Sequence, residues 1–232
     1  MSPTTTATML EVRNPADGRL VETISVDDRD AVTRIATELR LAQVTWAEDG
    51  PRQRSQWLHQ WRDWILAHTD ELTDLLQAET GKVRPDALVE TTASCEFITY
   101  YANHAEDFLA DERVRSAGLL SLPKRLSKTY RPHPLVGLIT PWNFPITLFL
   151  MDAAPALAAG CAVLVKSSEE TPLTCARVIE GWHEIGAPPV LAHVTGAGDT
   201  GSAVVDAADF VQFTGSTVTG RAVALRCAEQ LK

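Results

Sequence analysis

Long apolar runs, a basic excess and paired cysteines are all missing from this 232-residue sequence. The most apolar segment, ITLFLMDAAPALAAG at 146–160, is interrupted by Asp152 and Pro155 and is too short to span a bilayer, so it suits a buried helix. Lys and Arg number 21 against 30 Asp and Glu, a formal charge of −9 that argues against nucleic acid or an anionic membrane surface as the principal partner. A small-molecule ligand fits better. The four cysteines, Cys95, Cys161, Cys175 and Cys227, include no CxxC pair, and nothing points to an oxidising compartment. They read as reduced thiols of a cytoplasmic protein, packed as small hydrophobes, and no metal is expected. Residues 1–9, MSPTTTATM, lack both a basic start and an apolar stretch, so they read as a disordered Thr-rich tail and not a signal peptide. No short-period repeat is present.

What remains is an ordinary globular balance, 45% hydrophobic and 22% charged, with enough chain to bury a substantial core. LEVRNPADGRLVETISV carries two β-like runs around the turn formers Asn14, Pro15, Asp17 and Gly18, which predicts a hairpin. Asp27 or Asp28 caps a helix through AVTRIATELRLAQVTWA, and Gly50-Pro51 marks the start of another. In that second helix Trp57, Trp61 and Trp64 line up with Leu58 and Ile65 as a core stripe; a base-stacking platform would want a basic groove. HTDELTDLLQAETGK continues helically to Gly81, and TTASCEFITYYANHAEDFLA predicts one further helix. LLSLPKRLSKTYRPHP, 119–134, loses that periodicity and reads as an extended arm, solvated or facing another subunit. From 135 onward the apolar runs LVGLI, CAVLVK, PVLAHV and FVQF each lead into a helix, the signature of βαβ units around a buried parallel sheet.

Ligands of an open parallel sheet sit outside the carboxyl ends of its strands, so the turns after each run carry the chemistry. TPWNFP, 140–145, is stiffened by two prolines that fix φ and remove donors. KSSE, 166–169, offers a cation and a carboxylate three residues apart, able to bond vicinal hydroxyls; a solvated loop is the plainer alternative. TGAGDTG contains GxGxxG at Gly196, Gly198 and Gly201, but position 221, where an acidic ribose partner is usual, is Arg221. In FTGSTVTG, Gly215 permits close backbone approach and Ser216 or Thr217 can cap the next helix, whose amides favour a phosphate; a capped turn without ligand is equally compatible.

In this order and spacing, TPWNFP, AAGCAVLVKSSEETPLT and FTGSTVTG, with NPADGRLVETISV and AETGK upstream, resemble the aldehyde dehydrogenase superfamily from about Leu10 to Lys232. The resemblance implies an α/β fold of N-terminal helices plus a Rossmann-like open parallel sheet with flanking helices. It implies oxidation of an aldehyde to a carboxylate with NAD or NADP, by a Cys nucleophile and a Glu-activated water. Thr140, Pro141, Trp142 and Asn143 would line the cofactor, with the Asn143 amide donating to the oxyanion. Lys166 and Glu169 would hold the adenosine ribose, Gly196 would pack near adenine and Gly215 and Ser216 would bind pyrophosphate, with Ser168, Thr200, Thr217 and Gly220 also among the cofactor-binding residues. A Glu169 carboxylate accepts from a free 2′-hydroxyl and repels a 2′-phosphate, which favours NAD over NADP.

The implied organisation is a tail at 1–9, a hairpin and helical part of the cofactor domain at 10–118, an oligomerisation arm at 119–134 and the dinucleotide-binding part at 135–232. The family's E-L-G-G-K and Gly-Gln-x-Cys segments, which carry base and nucleophile, are absent, so a truncated, cofactor-binding portion is expected. Cys161 and Cys227 have no base evident nearby and do not replace that nucleophile. Three readings follow: the cofactor portion of an aldehyde dehydrogenase, a non-catalytic NAD-binding module, or a structural partner of full-length subunits. The general look resembles members acting on succinate semialdehyde or related aliphatic aldehydes, and homo-oligomers are the family's habit.

Overall fold

A hairpin opens the chain in a computed structural model that describes residues 8–232. Its antiparallel strands are β1 (Met9–Arg13) and β2 (Leu20–Ser25). Asn14 closes the turn: its Oδ1 accepts from the Ala16 amide at 2.8 Å and its carbonyl from the Gly18 amide at 2.8 Å, with Gly18 at φ +73°. Met9 therefore lies in a strand, inside the stretch expected as a tail, and the Thr8 carbonyl accepts from the Val26 amide at 2.8 Å. Residues 1–7 of that stretch lie outside the described residues.

Helix α1 (Arg29–Glu48) starts at Asp28, whose carboxylate accepts from the Ala31 amide at 2.8 Å. Helix α2 (Pro51–Ala67) begins at Gly50-Pro51 as expected, and α3 (Thr69–Thr80) ends on Gly81 at φ +71°. The next stretch departs from expectation. In place of one helix over 91–110 there are two, α4 (Arg84–Ala93) and α5 (Cys95–Phe108), broken at Ser94. The Ser94 hydroxyl bonds the Glu90 carbonyl one turn back and lies 2.8 Å from the Thr147 hydroxyl, a local competition with the helix ladder that Ser favours. Within the stretch read as an arm, β4 (Leu126–Lys128) pairs antiparallel with β3 (Glu112–Val114), which precedes it, across a 3-10 turn at Leu119–Ser121.

The expected alternation then follows: β5 (Leu135–Ile139), α6 (Pro145–Ala159), β6 (Ala162–Lys166), α7 (Leu173–Glu184), β7 (Leu191–Val194), α8 (Gly198–Ala207), β8 (Phe210–Phe213) and α9 (Thr217–Glu229). The four strands form one parallel sheet in the order β7-β6-β5-β8. Every residue of β5 and β6 is buried, because α1 and α8 cover one face and α6 and α7 the other. Behind α6 and α7 lies a further layer, α2 and α5. The indole stripe is core, as expected: Trp61 meets Trp182 and Phe149 edge to face at centroid separations of 5.4 and 5.9 Å, and Trp57 packs at the margin.

Helix α6, the most apolar element, is held at both ends by buried charge from the N-terminal helices. At its amino end Glu90 Oε1 accepts from the Ile146 amide at 3.0 Å and the Thr147 amide at 3.4 Å, while Glu90 Oε2 pairs with Lys82. At its carboxyl end the buried Arg54 donates to the Ala158 carbonyl at 2.9 Å, and also to the carbonyls of Trp46 and Asp49 that finish α1. Each charge has the sign that opposes the helix dipole and meets backbone groups the helix leaves unpaired. Glu79 repeats the device on α7, accepting from the amides of Leu173 at 2.8 Å and Thr174 at 3.0 Å and from the Thr174 hydroxyl. Helix α9 is attached differently. None of its residues is fully buried, and Asp206 at the end of α8 gathers Arg226 at 2.6 Å and Gln230 at 2.9 Å from the α9 end of the chain, together with Arg29 at the start of α1.

Two predictions follow from these buried charges. Arg54→Met leaves the three carbonyls without their donor and lowers stability by about 2–3 kcal/mol in urea unfolding. Burial of the Glu79 carboxyl raises it from 4.5 to about 7, against the opposing pull of its bonds to Thr174 and Leu173. A carboxyl that keeps its proton to higher pH when folded favours the folded state below the unfolded value and loses that advantage as pH climbs to the folded one. Stability should therefore fall between about pH 4.5 and 7 by a Glu79 contribution on the order of 3 kcal/mol. Glu79→Gln should flatten that slope in denaturation midpoints taken across the window.

Candidate cofactor-binding site

Because all four strands run the same way, their carboxyl tips share one edge of the sheet, and the four turns singled out in the sequence lie side by side there. At about 4.8 Å between strands, the tips of β7 and β8 stand about 14 Å apart. Backbone bonds join the turns: the Thr140 amide donates to the Lys166 carbonyl at 3.2 Å and the Thr214 amide to the Ile139 carbonyl at 3.0 Å. Backbone bonds thus link the ends of β6, β5 and β8 along this edge.

After β5, Thr140 is buried and its hydroxyl has no hydrogen-bond partner among the described residues. Pro141 is half-buried, while Trp142 and Phe144 are exposed by 59% and 49% and Asn143 is exposed between them. Pro145 then enters α6 at its first turn, where a missing amide hydrogen costs nothing. The second proline therefore starts the helix as well as stiffening the turn.

After β6, Lys166 is buried and its Nζ donates to Glu169 Oε2 at 2.8 Å. Burial pushes the Glu169 carboxyl up, but the bond and charge of Lys166 outweigh it and hold the group below its usual range. Ser168 turns inward on its own loop, its hydroxyl accepting from the Glu170 amide at 3.3 Å. Beneath the pair, the Ser167 hydroxyl lies 2.8 Å from His193 Nε2. Burial, with the Lys166 cation beside it, drops His193 to about 4, so the ring is neutral near neutral pH. No local sequence pattern marked His193, since its partner is 26 residues away.

After β7, the GxGxxG glycines have unequal roles. A Cβ on Gly196 would fall 2.0 Å from Thr200 Oγ1, whereas one on Gly198 would meet nothing within 4 Å. Thr200 is buried, with its hydroxyl donating to the Asp27 carbonyl at 2.8 Å. Asp27 also exchanges bonds with Thr195, its amide donating to the Thr195 carbonyl and its carboxylate accepting from the Thr195 amide, each at 2.8 Å. Gly196 and Thr200 thus lock this turn to the start of α1, a role that sequence spacing did not separate from ligand binding.

After β8, cavity walls form from Phe213 to Thr217 with Gly220, Arg221 and Ala224, around about 640 Å³ open to solvent. Gly215 and Gly220 both back onto the Phe213 ring, where Cβ atoms would come within 2.6 and 3.1 Å of it. Ser216 caps α9, accepting from the Thr219 amide at 3.2 Å, and Thr217 opens the helix exposed. First-turn amides with no intrahelical acceptor face outward at such an end and favour an anion. Of the cysteines, burial raises Cys95 and Cys161 to about 11 and Cys175 well above its ordinary value, so these three stay thiols near neutral pH. Among the described residues no three His, Cys, Asp or Glu side chains converge to hold a metal, and no helix is long and apolar enough to cross a membrane.

An α/β fold with an open parallel sheet flanked by helices, its four strand-end turns on one rim, belongs to the Rossmann-like class. The model of the aldehyde dehydrogenase family matches residues 2–232, and the chain belongs to that family. It is 38% identical over 216 residues to a Mycolicibacterium smegmatis protein named "Putative succinate-semialdehyde dehydrogenase [NADP(+)]", covering 92% of this chain and 41% of that protein. A crystal structure of aldehyde dehydrogenase from Brucella melitensis biovar abortus 2308 superposes with a TM-score of 0.91 at 31% identity, over 97% of this chain and 47% of the other. Betaine aldehyde dehydrogenase from Staphylococcus aureus, in complex with NAD+, gives 0.88 at 28% identity over 95% and 44%. The chain spans about two-fifths of the length of the curated relatives it matches.

The packing role of Gly196 has a direct check. Gly196→Ala should cost about 1–3 kcal/mol in chemical denaturation through overpacking on Thr200, and Gly198→Ala, into open space, should cost well under half of that.

Proposed function

We propose that this chain is the NAD(P)-binding portion of an aldehyde-oxidising enzyme, acting on succinate semialdehyde or a related aliphatic aldehyde. The observation that carries the reading is the convergence, on one sheet rim, of a buried cation paired with a partly exposed carboxylate, a buried hydroxyl without a partner and a capped helix start beside an open cavity. The residues fit a dinucleotide. Lys166 and Glu169 together offer a donor and an acceptor to vicinal ribose hydroxyls, and their mutual bond holds both side chains ready before a ligand arrives. The α9 amino end, with Gly215 and Gly220 keeping the wall low, suits a pyrophosphate. Thr140, Pro141 and Trp142 line the path toward Asn143, whose amide is free to donate to a developing oxyanion.

A nicotinamide cofactor supplies the hydride acceptor in such an oxidation. The chain's own contribution is to bind and orient that cofactor and to present the Asn143 donor. The buried cysteines, held as thiols, are not positioned as nucleophiles, so the proposal covers cofactor binding and oxyanion donation by this chain and not turnover by it alone. The Glu169 carboxylate favours NAD, since it accepts from a 2′-hydroxyl and repels a phosphate there. The mycobacterial relative carries NADP(+) in its name, which makes the two cofactors the natural comparison. A cytoplasmic location is proposed with this reading on the four free cysteines, and a homo-oligomer on the family's habit alone.

Calorimetric titration of the 232-residue chain with NAD and NADP tests the proposal. Binding is expected with NAD the tighter ligand, and Lys166→Ala should weaken it by about tenfold, the loss of one charge-assisted bond. No heat with either cofactor at millimolar concentration would remove the reading.

A further inference from the structure

The turn at 140–145 is held from outside the sheet by residues far away in sequence. Gly81 ends α3 in the left-handed conformation, where a Cβ would also press to 2.9 Å from Pro15 of the hairpin turn. This bend delivers Lys82, whose carbonyl is pinned by Gln77 Nε2 at 3.2 Å and whose amide donates to the Thr80 hydroxyl at 3.3 Å. The Lys82 ammonium then makes two contacts at once. It pairs with Glu90 Oε2 and sits 4.1 Å from the centroid of the Phe144 ring.

Glu90, in turn, is almost fully buried, and its other oxygen accepts from the Ile146 and Thr147 amides. The exposed pair Trp142–Asn143 is therefore fixed on its carboxyl side by a ring under a cation and by two amides on a carboxylate. On its amino side it is fixed by the Thr140 amide on the Lys166 carbonyl. Neither Lys82 nor Glu90 lies on the rim, and a salt bridge needed for packing alone would not have to reach an aromatic ring that is itself half exposed.

We propose that Lys82 and Glu90 are positioning residues for the 140–145 turn, setting where the Trp142 and Asn143 side chains stand relative to a bound cofactor. This rests on the cofactor reading above for its functional meaning, but the mechanical claim stands on the contacts themselves. With the cation removed, Phe144 loses its cover and Glu90 is left as a buried charge without its counterion, which destabilises the packed position from which it holds the helix amides, so the turn and the first turn of α6 loosen together.

The test is amide hydrogen exchange on the 232-residue chain and on Lys82→Met, Lys82→Arg and Phe144→Leu. Lys82→Met should speed exchange across 142–148 by about tenfold while peptides from β5, β6 and α7 keep their protection. Lys82→Arg, which retains both the charge and the ring contact, should restore most of it. Phe144→Leu alters a half-exposed side chain, so it should fold and should loosen 142–145 alone. In parallel, Lys82→Met should weaken NAD about fivefold by calorimetry. Unchanged exchange at 142–148 in both Lys82→Met and Phe144→Leu, or a rise spread evenly over the whole sheet, would overturn the proposal. So would loosening of the turn with no change in NAD affinity. If the unmodified chain binds neither cofactor, the function proposed above fails, and the exchange profiles still decide whether the pair holds the turn.

Discussion

The rest of the molecule depends on a buried apolar helix gripped at both ends by ions of the right sign. Helix α6 has almost no polar surface of its own with which to fix its register against the sheet, and hydrophobic packing is non-directional. Glu90 at one end and Arg54 at the other supply the direction. Both come from the N-terminal helices, so the sheet and those helices are one mechanical unit, and the tip of β5 inherits its position from that grip. Burying these charges is costly, which is why each is surrounded by hydrogen bonds and why neither partner can be removed singly without exposing the cost.

Much of this architecture was legible in the residues. The hairpin could be read from Asn14 to Gly18, the start of α2 from Gly50-Pro51, the end of α3 from Gly81, and the parallel sheet from four apolar runs each feeding a helix, because every one of those signals is local. The tertiary caps were not legible. Glu79 and Glu90 look like ordinary polar positions of their helices, and their acceptor roles become defined only when segments 94 and 56 residues away arrive. Helix α4 was missed although Pro85 stands in its first turn, since the polar stretch around it carries little hydrophobic periodicity.

The rim shows the same division. That the four turns share one edge follows from strand order and was expected from alternation alone. Which side chains in them are also engaged by the fold was not. Thr200 and Gly196 take part in a packing lock with Asp27, and Ser168 bonds within its own loop, so these three positions have structural roles that their sequence pattern did not show. Thr140, expected beside the cofactor only through the family resemblance, carries a buried hydroxyl without a partner among the described residues, which its place at a strand end did not announce. Polar side chains are ambiguous in sequence because the same oxygen can serve the fold or the ligand.

Helix α9 carries the anion-favouring amino end, and side-chain charge tethers its far end through Asp206 to α8 and α1, with little apolar burial to back the tether. Dissolved salt therefore acts on it twice over, screening the partly exposed tether at one end and competing for the amides at the other. Ionic strength tunes the attachment of this helix and the pull of its amino end on any anion in the same sense, while the strands beside it, joined by backbone bonds and dry packing, respond less.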